Sequence, residues 1–299
     1  MFQIISDSGC DFTEEEVKKH GIDIVPFYIT FDQETYLKEG VDISKQDYFK
    51  RLTEEKDLFP QTAQPSPQDY IDVYTPHLNA GKDVLSLTIS SKLSGTYNSA
   101  TLAASTLKEE YPDRTIIVID SLNCAIGQGL ILKEIIKMRD NGHSLMETAA
   151  LAEEVKQTVR LYVTLDSLEY LKRGGRVGPT TALVGGILGL RPVLHLVDGT
   201  VEQLDSVRGN KRVLQLMTEA MVHALKGEAQ DVNLSVGHIL REEDAVAFKG
   251  GLETALGVDI SSPVTEIGVT IGTHAGPGGL VVAYCKKYDA FQMRGDVVA

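Results

Sequence analysis

The feature that most constrains the fold is an alternation in the first half of the chain, where short runs rich in β-branched residues are separated by segments of helical periodicity. The run IIVI within RTIIVIDS (114–121) is apolar at every position, which is typical of a strand buried on both faces. Buried strands that alternate with helices predict a parallel sheet covered on both sides. We therefore expect an N-terminal α/β/α domain, with IDIVPFYITF (22–31) and DVLSLTIS (83–90) among its strands.

The pattern changes after residue 158. RPVLHLVDGTVEQLDSV (191–207) contains two strand-like runs around Asp198 and Gly199, and Asp-Gly is a strong hairpin signal. Near the end, VTEIGVTIG (264–272) and GLVVAYC (279–285) are interpreted as strands that flank a glycine-rich loop. The sequence therefore predicts two domains, a parallel-sheet α/β/α domain at 1–158 and a mixed-sheet α/β domain at 159–299.

Charge and cysteine content exclude several classes of protein. The 299 residues include 42 acidic and 29 basic side chains, a net charge of −13, which argues against nucleic-acid binding. The start of the chain lacks a secretory signal pattern, so we expect a cytoplasmic protein without a transmembrane segment. The three cysteines form no C-x-x-C pair, which argues against a disulfide framework and a cysteine zinc site.

Hydroxyl side chains are concentrated in two turns, QTAQPSP (61–67) and SSKLSGTYNSA (90–100), which offer Thr62, Ser91, Ser94 and Thr96. The second turn follows a predicted strand and precedes a helix, where Ser94 is placed as an N-cap. Ligands of open α/β sheets bind at such positions, because helix N-termini point amide donors there. Helix capping explains any one of these hydroxyls. Several such turns at one edge of a sheet indicate a binding site.

Two further candidates lie beside glycines. His274 occurs in IGTHAGPGG (271–279), where Gly276 and Gly278 allow either close backbone approach to a ligand or a plain glycine-rich turn. Arg176 follows a Gly-Gly pair that is typical of a helix C-terminus. Its guanidinium either binds an anion or complements the helix dipole, and the residues alone leave both alternatives open.

A basic cluster stands out in this acidic chain. SVRGNKRV (206–213) brings Arg208, Lys211 and Arg212 together between the predicted hairpin and the next helix. Such a cluster is either a docking surface for an acidic partner or the solvated start of a helix.

In their order along the chain, these segments resemble the DegV family of bacterial fatty-acid-binding proteins. The resemblance is carried by a set of motifs that spans nearly the whole chain: SDSGCD (6–11), QTAQPSP, SSKLSGTYNSA, IDS (119–121), LEYLKRGGRVG (168–178), RPVLHLVDGTV (191–201) and IGTHAGPGG. No single motif is specific, but together they are a strong signal.

The resemblance implies a long-chain fatty acid buried in an apolar tunnel, with its carboxylate held by hydroxyl groups. By motif position, the family's carboxylate-binding residues fall on Thr62, Ser94 and His274. The arginine of the family's G-G-R turn falls on Arg176, which we expect to be a further pocket residue together with Ser91, Thr96, Gly276 and Gly278.

The resemblance also implies a carrier without enzymatic activity of its own, and without a cofactor or metal besides the bound fatty acid. In one branch of the family the acyl group is presented to a separate fatty acid kinase, which forms an acyl-phosphate for phospholipid synthesis. The docking residues of that branch correspond to Arg208, Lys211 and Arg212. Transient contact with a membrane is compatible with this role.

Two alternative functions use the same residues. An acyl hydrolase would take Ser94 as nucleophile, His274 as base, and Asp7 or Asp120 to orient the imidazole. A small-anion or sugar-phosphate binder would use the helix N-termini in a wet, polar pocket. The apolar segment ALVGGILGL (182–190) and the low aromatic content of 6% weigh mildly against the second alternative.

Overall fold

The computed structural model of the chain describes residues 2–55, 58–177 and 190–292. The elements of the first half, in chain order, are β1 (Gln3–Asp7), a 3₁₀ turn (Ser8–Cys10), α1 (Glu14–His20), β2 (Asp23–Val25), β3 (Tyr28–Thr30), β4 (Leu37–Lys38), α2 (Lys45–Glu54), β5 (Gln61–Ala63), α3 (Pro67–Asn79), β6 (Val84–Thr88), α4 (Thr96–Glu110), β7 (Ile116–Asp120), α5 (Ala125–Asp140) and α6 (Leu145–Gln157).

The elements of the second half are β8 (Arg160–Thr164), α7 (Glu169–Gly174), β9 (Leu190–Val197), β10 (Thr200–Arg208), α8 (Asn210–Ala224), β11 (Val232–His238), α9 (Glu242–Leu256), β12 (Thr265–Glu266), α10 (Val269–Ala275), β13 (Leu280–Lys286) and α11 (Asp289–Gln292). Within the described ranges, no helix is both long enough and apolar enough to cross a membrane.

The first half contains the predicted parallel sheet. Its strand order is β2-β1-β6-β7, and every neighbouring pair is parallel. Helices α3 and α4 pack on one face of this sheet, while α5 and α6 lie on the other. The α/β/α expectation is therefore confirmed.

The segment 22–31 is two strands, so the prediction of a single strand there is wrong. Pro26 separates β2 from β3, because proline has no backbone N–H for a strand ladder. β2 joins the parallel sheet, whereas β3 is the centre of a small antiparallel sheet of order β4-β3-β5. This small sheet holds Thr62 opposite Ile29.

The second half forms a mixed sheet, as predicted. Its order is β10-β9-β8-β13-β11-β12, with only the β11–β12 pair parallel. The predicted hairpin at Asp198 and Gly199 is confirmed, and both residues have the positive φ (47° and 84°) that a two-residue I′ turn requires. The domain boundary at residue 158 stays a prediction.

His274 lies on a helix, so the prediction of a glycine-rich loop between two strands is wrong at this point. α10 covers Val269–Ala275, although four of these seven residues are β-branched and one is glycine. Such a composition favours a strand over a helix. The carboxylates of Asp11 and Glu39 accept hydrogen bonds from the backbone at the start of α10. Because these contacts join residues far apart in the sequence, sequence periodicity could not predict them.

The two large sheets enclose a common core. α5 is buried over most of its surface because it lies against both the turn after β1 and the strands β11 and β13. The outer face of the mixed sheet is covered by α8 and α9. The inner face carries Leu161, Val163 and Leu194, whose side chains border the site described next.

Candidate functional site

An internal cavity of about 370 Å³ lies against the inner face of the mixed sheet. This volume is within the range of about 300–1,000 Å³ that is usual for small-molecule sites. The walls are mostly aliphatic, with Leu165 directly after β8, and the strands contribute Leu161, Val163, Leu194, Leu196 and Val281. Because successive residues of a strand point to opposite faces, alternate residues of β8 and β9 line the cavity. The cavity can therefore hold an extended apolar group.

Most of the polar side chains that line the cavity come from four segments of the chain. Thr62 on β5 and His274 on α10 are hydrogen-bonded, with 2.7 Å between Thr62 Oγ1 and His274 Nε2. Ser94 and Arg176 also line the cavity, and Arg176 is linked to the turn that carries Ser94 through the carbonyl of Leu93. The structure thus brings together Thr62, Ser94, Arg176 and His274.

His274 is neutral at pH 7 in this environment. Burial and the nearby Arg176 guanidinium lower its pKa to about 4. Its Nδ1 atom is buried and has no hydrogen-bond partner among the described residues. Gly174 makes this position available, because a Cβ on that residue would lie 2.3 Å from Nδ1. The Nδ1 side of the imidazole therefore packs against Gly174, while its Nε2 side faces Thr62.

Arg176 is the only lysine or arginine among the described residues that line the cavity. Its Nε donates to Leu93 O at 3.0 Å and its Nη1 to Gly174 O at 2.6 Å, which fixes the guanidinium. Partial burial lowers its pKa. None of the described carboxylates forms an ion pair with Arg176, so no described residue neutralises its positive charge. An anionic group placed here would be stabilised.

Ser94 does not cap the following helix, contrary to expectation. The N-cap of α4 is Gly95, without a side-chain bond, and Ser94 Oγ instead lies 2.7 Å from Thr96 Oγ1. The turn is organised by Ser90, whose carbonyl accepts the backbone N–H of Ser94. Because it is not used for capping, the Ser94 hydroxyl can serve a ligand, with Thr96 buried behind it.

The remaining predicted residues lie away from the cavity surface. Ser91 is exposed, and its backbone N–H donates to Asp120. Gly276 and Gly278 form the turn after α10, where added Cβ atoms would collide with Tyr170 and Asp166. The structure thus gives these two glycines a packing role. The last three predicted residues have exposed side chains at the junction of β10 and α8: Arg208, Lys211 and Arg212.

The geometry does not form a hydrolase triad among the described residues. The hydroxyl bonded to His274 is that of Thr62, not Ser94. Asp7 accepts from the N–H of Ile89, and Asp120 accepts from the N–H of Leu122. Neither carboxylate contacts the imidazole, so nothing orients it as a general base. The described residues also contain no group of three or more His, Cys, Asp or Glu side chains that could hold a metal ion.

Part of the lining is not among the predicted site residues, although the QTAQPSP turn offers Gln64 in the sequence. Gln64, in the QTAQPSP turn, and Thr270, one turn before His274, also line the cavity. The signal for Gln64 was its place two residues after Thr62. For the aliphatic walls, the alternation within β8 and β9 was the available signal. Residues 182–189 of the ALVGGILGL segment lie outside the described residues.

The depressed pKa of His274 predicts how stability changes with pH. Between pH 6.5 and 4 the unfolded state carries a proton on this residue that the folded state does not, so stability falls as pH falls. From pH 7 to 5 this contribution amounts to roughly 2 kcal/mol.

Delipidated wild type should therefore lose more stability over this range than His274→Gln in urea unfolding. Asp7 and Asp11 act in the opposite direction, because burial raises their pKa values to about 6 and about 7. Both carboxylates are present in the wild type and in His274→Gln, so the difference between the two pH profiles of stability reports the imidazole alone. Parallel pH profiles would show that His274 titrates normally.

The fold and cavity together define a class: an α/β protein of two packed sheets with a mostly aliphatic internal cavity that is bordered by a cluster of polar side chains. The model of the DegV family, described as "Uncharacterised protein, DegV family", matches residues 1–287. The chain belongs to the DegV family.

Relatives support this assignment along the whole chain. A DegV domain-containing protein of Caldanaerobacter subterraneus subsp. tengcongensis is 33% identical over 286 residues, covering 95% of this chain and 98% of the relative. A stearic acid-binding protein from Eubacterium ventriosum has a similar structure, with a TM-score of 0.92 and 32% identity. The match covers 97% of this chain and 100% of that one. A fatty acid-binding DegV family protein from Thermus thermophilus has a TM-score of 0.86 and 30% identity, and the match covers 95% of this chain and 99% of that one. Fatty acid binding is thus a property of DegV family proteins.

Proposed function

We propose that this chain is a cytoplasmic carrier that binds a long-chain fatty acid in the cavity. The carboxylate lies at the cluster of Thr62, Ser94, Arg176 and His274, and the acyl chain extends along the aliphatic inner face of the mixed sheet. The observation that carries this proposal is an apolar cavity lined at one end by a half-buried guanidinium that forms no ion pair with any described carboxylate. The fatty acids bound by similar proteins support it.

The acyl chain supplies most of the binding free energy. Burying a methylene contributes about 0.8 kcal/mol, so a sixteen-carbon chain gives a gross term of order 10 kcal/mol. Each hydrogen bond to the carboxylate adds roughly 1.5–3 kcal/mol before the cost of desolvation. The polar cluster therefore determines which end of the ligand lies where. A polar sugar phosphate would leave its hydroxyl groups unpaired against aliphatic walls, at a cost in free energy.

Mass spectrometry of the purified protein tests the proposal directly. Native spectra, followed by an organic extract of denatured protein, should show a long-chain fatty acid at close to one per chain. Delipidated protein should take up added palmitate or oleate. A protein that arrives empty and binds neither acid would contradict the proposal and leave the DegV resemblance as one of fold.

We further propose that the loaded protein presents its acyl group to a separate fatty acid kinase, and that it exchanges fatty acid during transient contact with a membrane. The exposed cluster of Arg208, Lys211 and Arg212 supports the kinase proposal, because local positive charge in a chain of net charge −13 can steer an acidic partner.

Charge reversal of this cluster tests docking. Arg208→Glu, Lys211→Glu and Arg212→Glu together should raise the KM of a fatty acid kinase for the loaded protein by about ten-fold or more, with unchanged fatty acid affinity. The matched control reverses Lys18, Lys82 and Lys108, which are exposed elsewhere and give the same change in net charge. Equal kinetics for the two triple variants would rule out docking at this cluster.

A further inference from the structure

The helix that carries His274 cannot be stable by its own sequence. α10 has only seven residues, four of them β-branched, and isolated helices of this length do not persist in water. The N-cap residue is Gly268, which has no side chain to bond the first turn. Other parts of the chain must therefore bond the free N–H groups at the start of α10.

Glu39 supplies most of those bonds. Its Oε1 accepts from the N–H of Val269 at 2.5 Å and of Thr270 at 3.3 Å. Its Oε2 accepts from the hydroxyl of Thr270 at 2.6 Å and from Ser8 Oγ at 2.7 Å. Asp11 Oδ1 completes the cap by accepting from the N–H of Gly268 at 2.8 Å. Negative charge at this end of a helix is favourable, since the N-terminus carries partial positive charge.

The close approach of the two carboxylates explains the glycine at the N-cap. A Cβ on Gly268 would lie 2.8 Å from Glu39 Oε1 and 2.9 Å from Asp11 Oδ1. Any side chain there would push the carboxylates away from the first turn. The lack of a capping side chain and the presence of Glu39 are thus parts of one arrangement.

The location of Glu39 links this cap to the ligand cluster. Glu39 directly follows β4, and its N–H donates to Phe27 O, so it is attached to the small sheet β4-β3-β5. Thr62 lies on β5 of the same sheet. The sheet therefore contacts α10 twice, through Glu39 at the first turn and through Thr62 at His274, one helical turn after Thr270.

We propose that Glu39 is a positioning residue for ligand binding: by holding the first turn of α10 to the small sheet, it sets His274 at hydrogen-bonding distance from Thr62. Its effect on affinity rests on the proposed fatty acid function. Its effect on His274 does not, and can be measured without ligand.

Three variants test the role of Glu39. Glu39→Leu removes both acceptors, Glu39→Gln retains one carbonyl oxygen for the N–H groups, and Ser144→Ala removes the cap of α6, which contributes no cavity residue. Imidazole NMR signals of delipidated protein, assigned with His274→Gln, report the Thr62–His274 bond. Palmitate affinity is measured in parallel.

Glu39→Leu should shift the His274 signals and weaken palmitate binding by about ten-fold, the size expected for one lost hydrogen bond. Glu39→Gln should have His274 signals and a palmitate affinity close to those of the wild type. Ser144→Ala should change neither the signals nor the affinity. Unchanged His274 signals in folded Glu39→Leu would overturn the inference, as would equal losses in Ser144→Ala.

If Glu39→Leu does not fold, Thr270→Val takes its place, since it removes only the hydroxyl contact with Glu39. A smaller shift of the His274 signals in the same direction supports the inference, and an identical wild-type spectrum contradicts it. If the wild type binds no palmitate while Glu39→Leu still shifts His274, the proposed function fails and the positioning role stands.

Discussion

Val163→Phe is expected to weaken binding of long-chain fatty acids by more than a hundred-fold while leaving the protein folded. Val163 lies on β8, lines the cavity, and is only partly buried by protein atoms. A phenyl ring there projects into open volume instead of a packed core, so the variant should lose little stability. Displacing about four methylenes from the cavity costs about 3 kcal/mol, or more than a hundred-fold in affinity.

The matched comparison is Val193→Phe. Val193 lies on β9, next to β8, but it is fully buried in the core beneath α8 and α9 on the opposite face of the sheet. The same substitution there overpacks a filled core and should cost about 1–3 kcal/mol of stability. Fatty acid affinity should survive in this folded variant.

Isothermal titration with palmitate and urea unfolding of delipidated protein measure the two effects. The structure predicts opposite outcomes for the pair: strongly weakened binding with retained stability for Val163→Phe, and retained binding with reduced stability for Val193→Phe. Wild-type affinity in Val163→Phe would mean that the acyl chain does not follow this wall of the cavity.

Thr62→Ala combined with Ser94→Ala is expected to weaken fatty acid binding by roughly 10² to 10⁴-fold. The two hydroxyls lie on different segments of the chain and both line the cavity beside the Arg176 guanidinium. Each hydroxyl bond to a carboxylate contributes roughly 1.5–3 kcal/mol, and the loss of both accounts for this range. The acyl chain contacts remain, so binding should weaken without disappearing at high concentration.

Ser91→Ala is the control for this double variant. Ser91 belongs to the same hydroxyl-rich turn as Ser94, yet it is exposed and does not line the cavity. Its substitution should leave affinity within error of the wild type. The affinities for palmitate and for the uncharged sixteen-carbon alcohol, 1-hexadecanol, are compared for each protein. A folded double variant that still prefers the acid by the wild-type ratio would place the carboxylate elsewhere.

The parts of the fold that could be predicted are those with local signals. The run IIVI became β7 of the parallel sheet, and the Asp198-Gly199 dipeptide became the hairpin of the mixed sheet. Buried strands and I′ turns are encoded by adjacent residues, so periodicity and turn chemistry are enough to identify them.

The parts that could not be predicted depend on contacts distant in sequence. α10 is helical against its own preferences, because Glu39 bonds its first turn from about 230 residues away. In the same way, Ser94 looked like a cap because of its position before a helix, and only the folded turn shows its hydroxyl beside Thr96. The motifs identified the polar residues, but the cavity that they serve arises from the packing of two sheets.

The positions of the four polar residues along the sequence determine when the site can form during synthesis. Thr62 and Ser94 emerge from the ribosome long before Arg176, and His274 follows Arg176 only after a further 97 intervening residues. Because chains fold from the N-terminus as they are made, the parallel sheet can form while its partner in the cavity is still missing. The four polar residues therefore cannot act together on a ligand during the early steps, and the apolar inner face of the parallel-sheet half stays uncovered until the mixed sheet has been made.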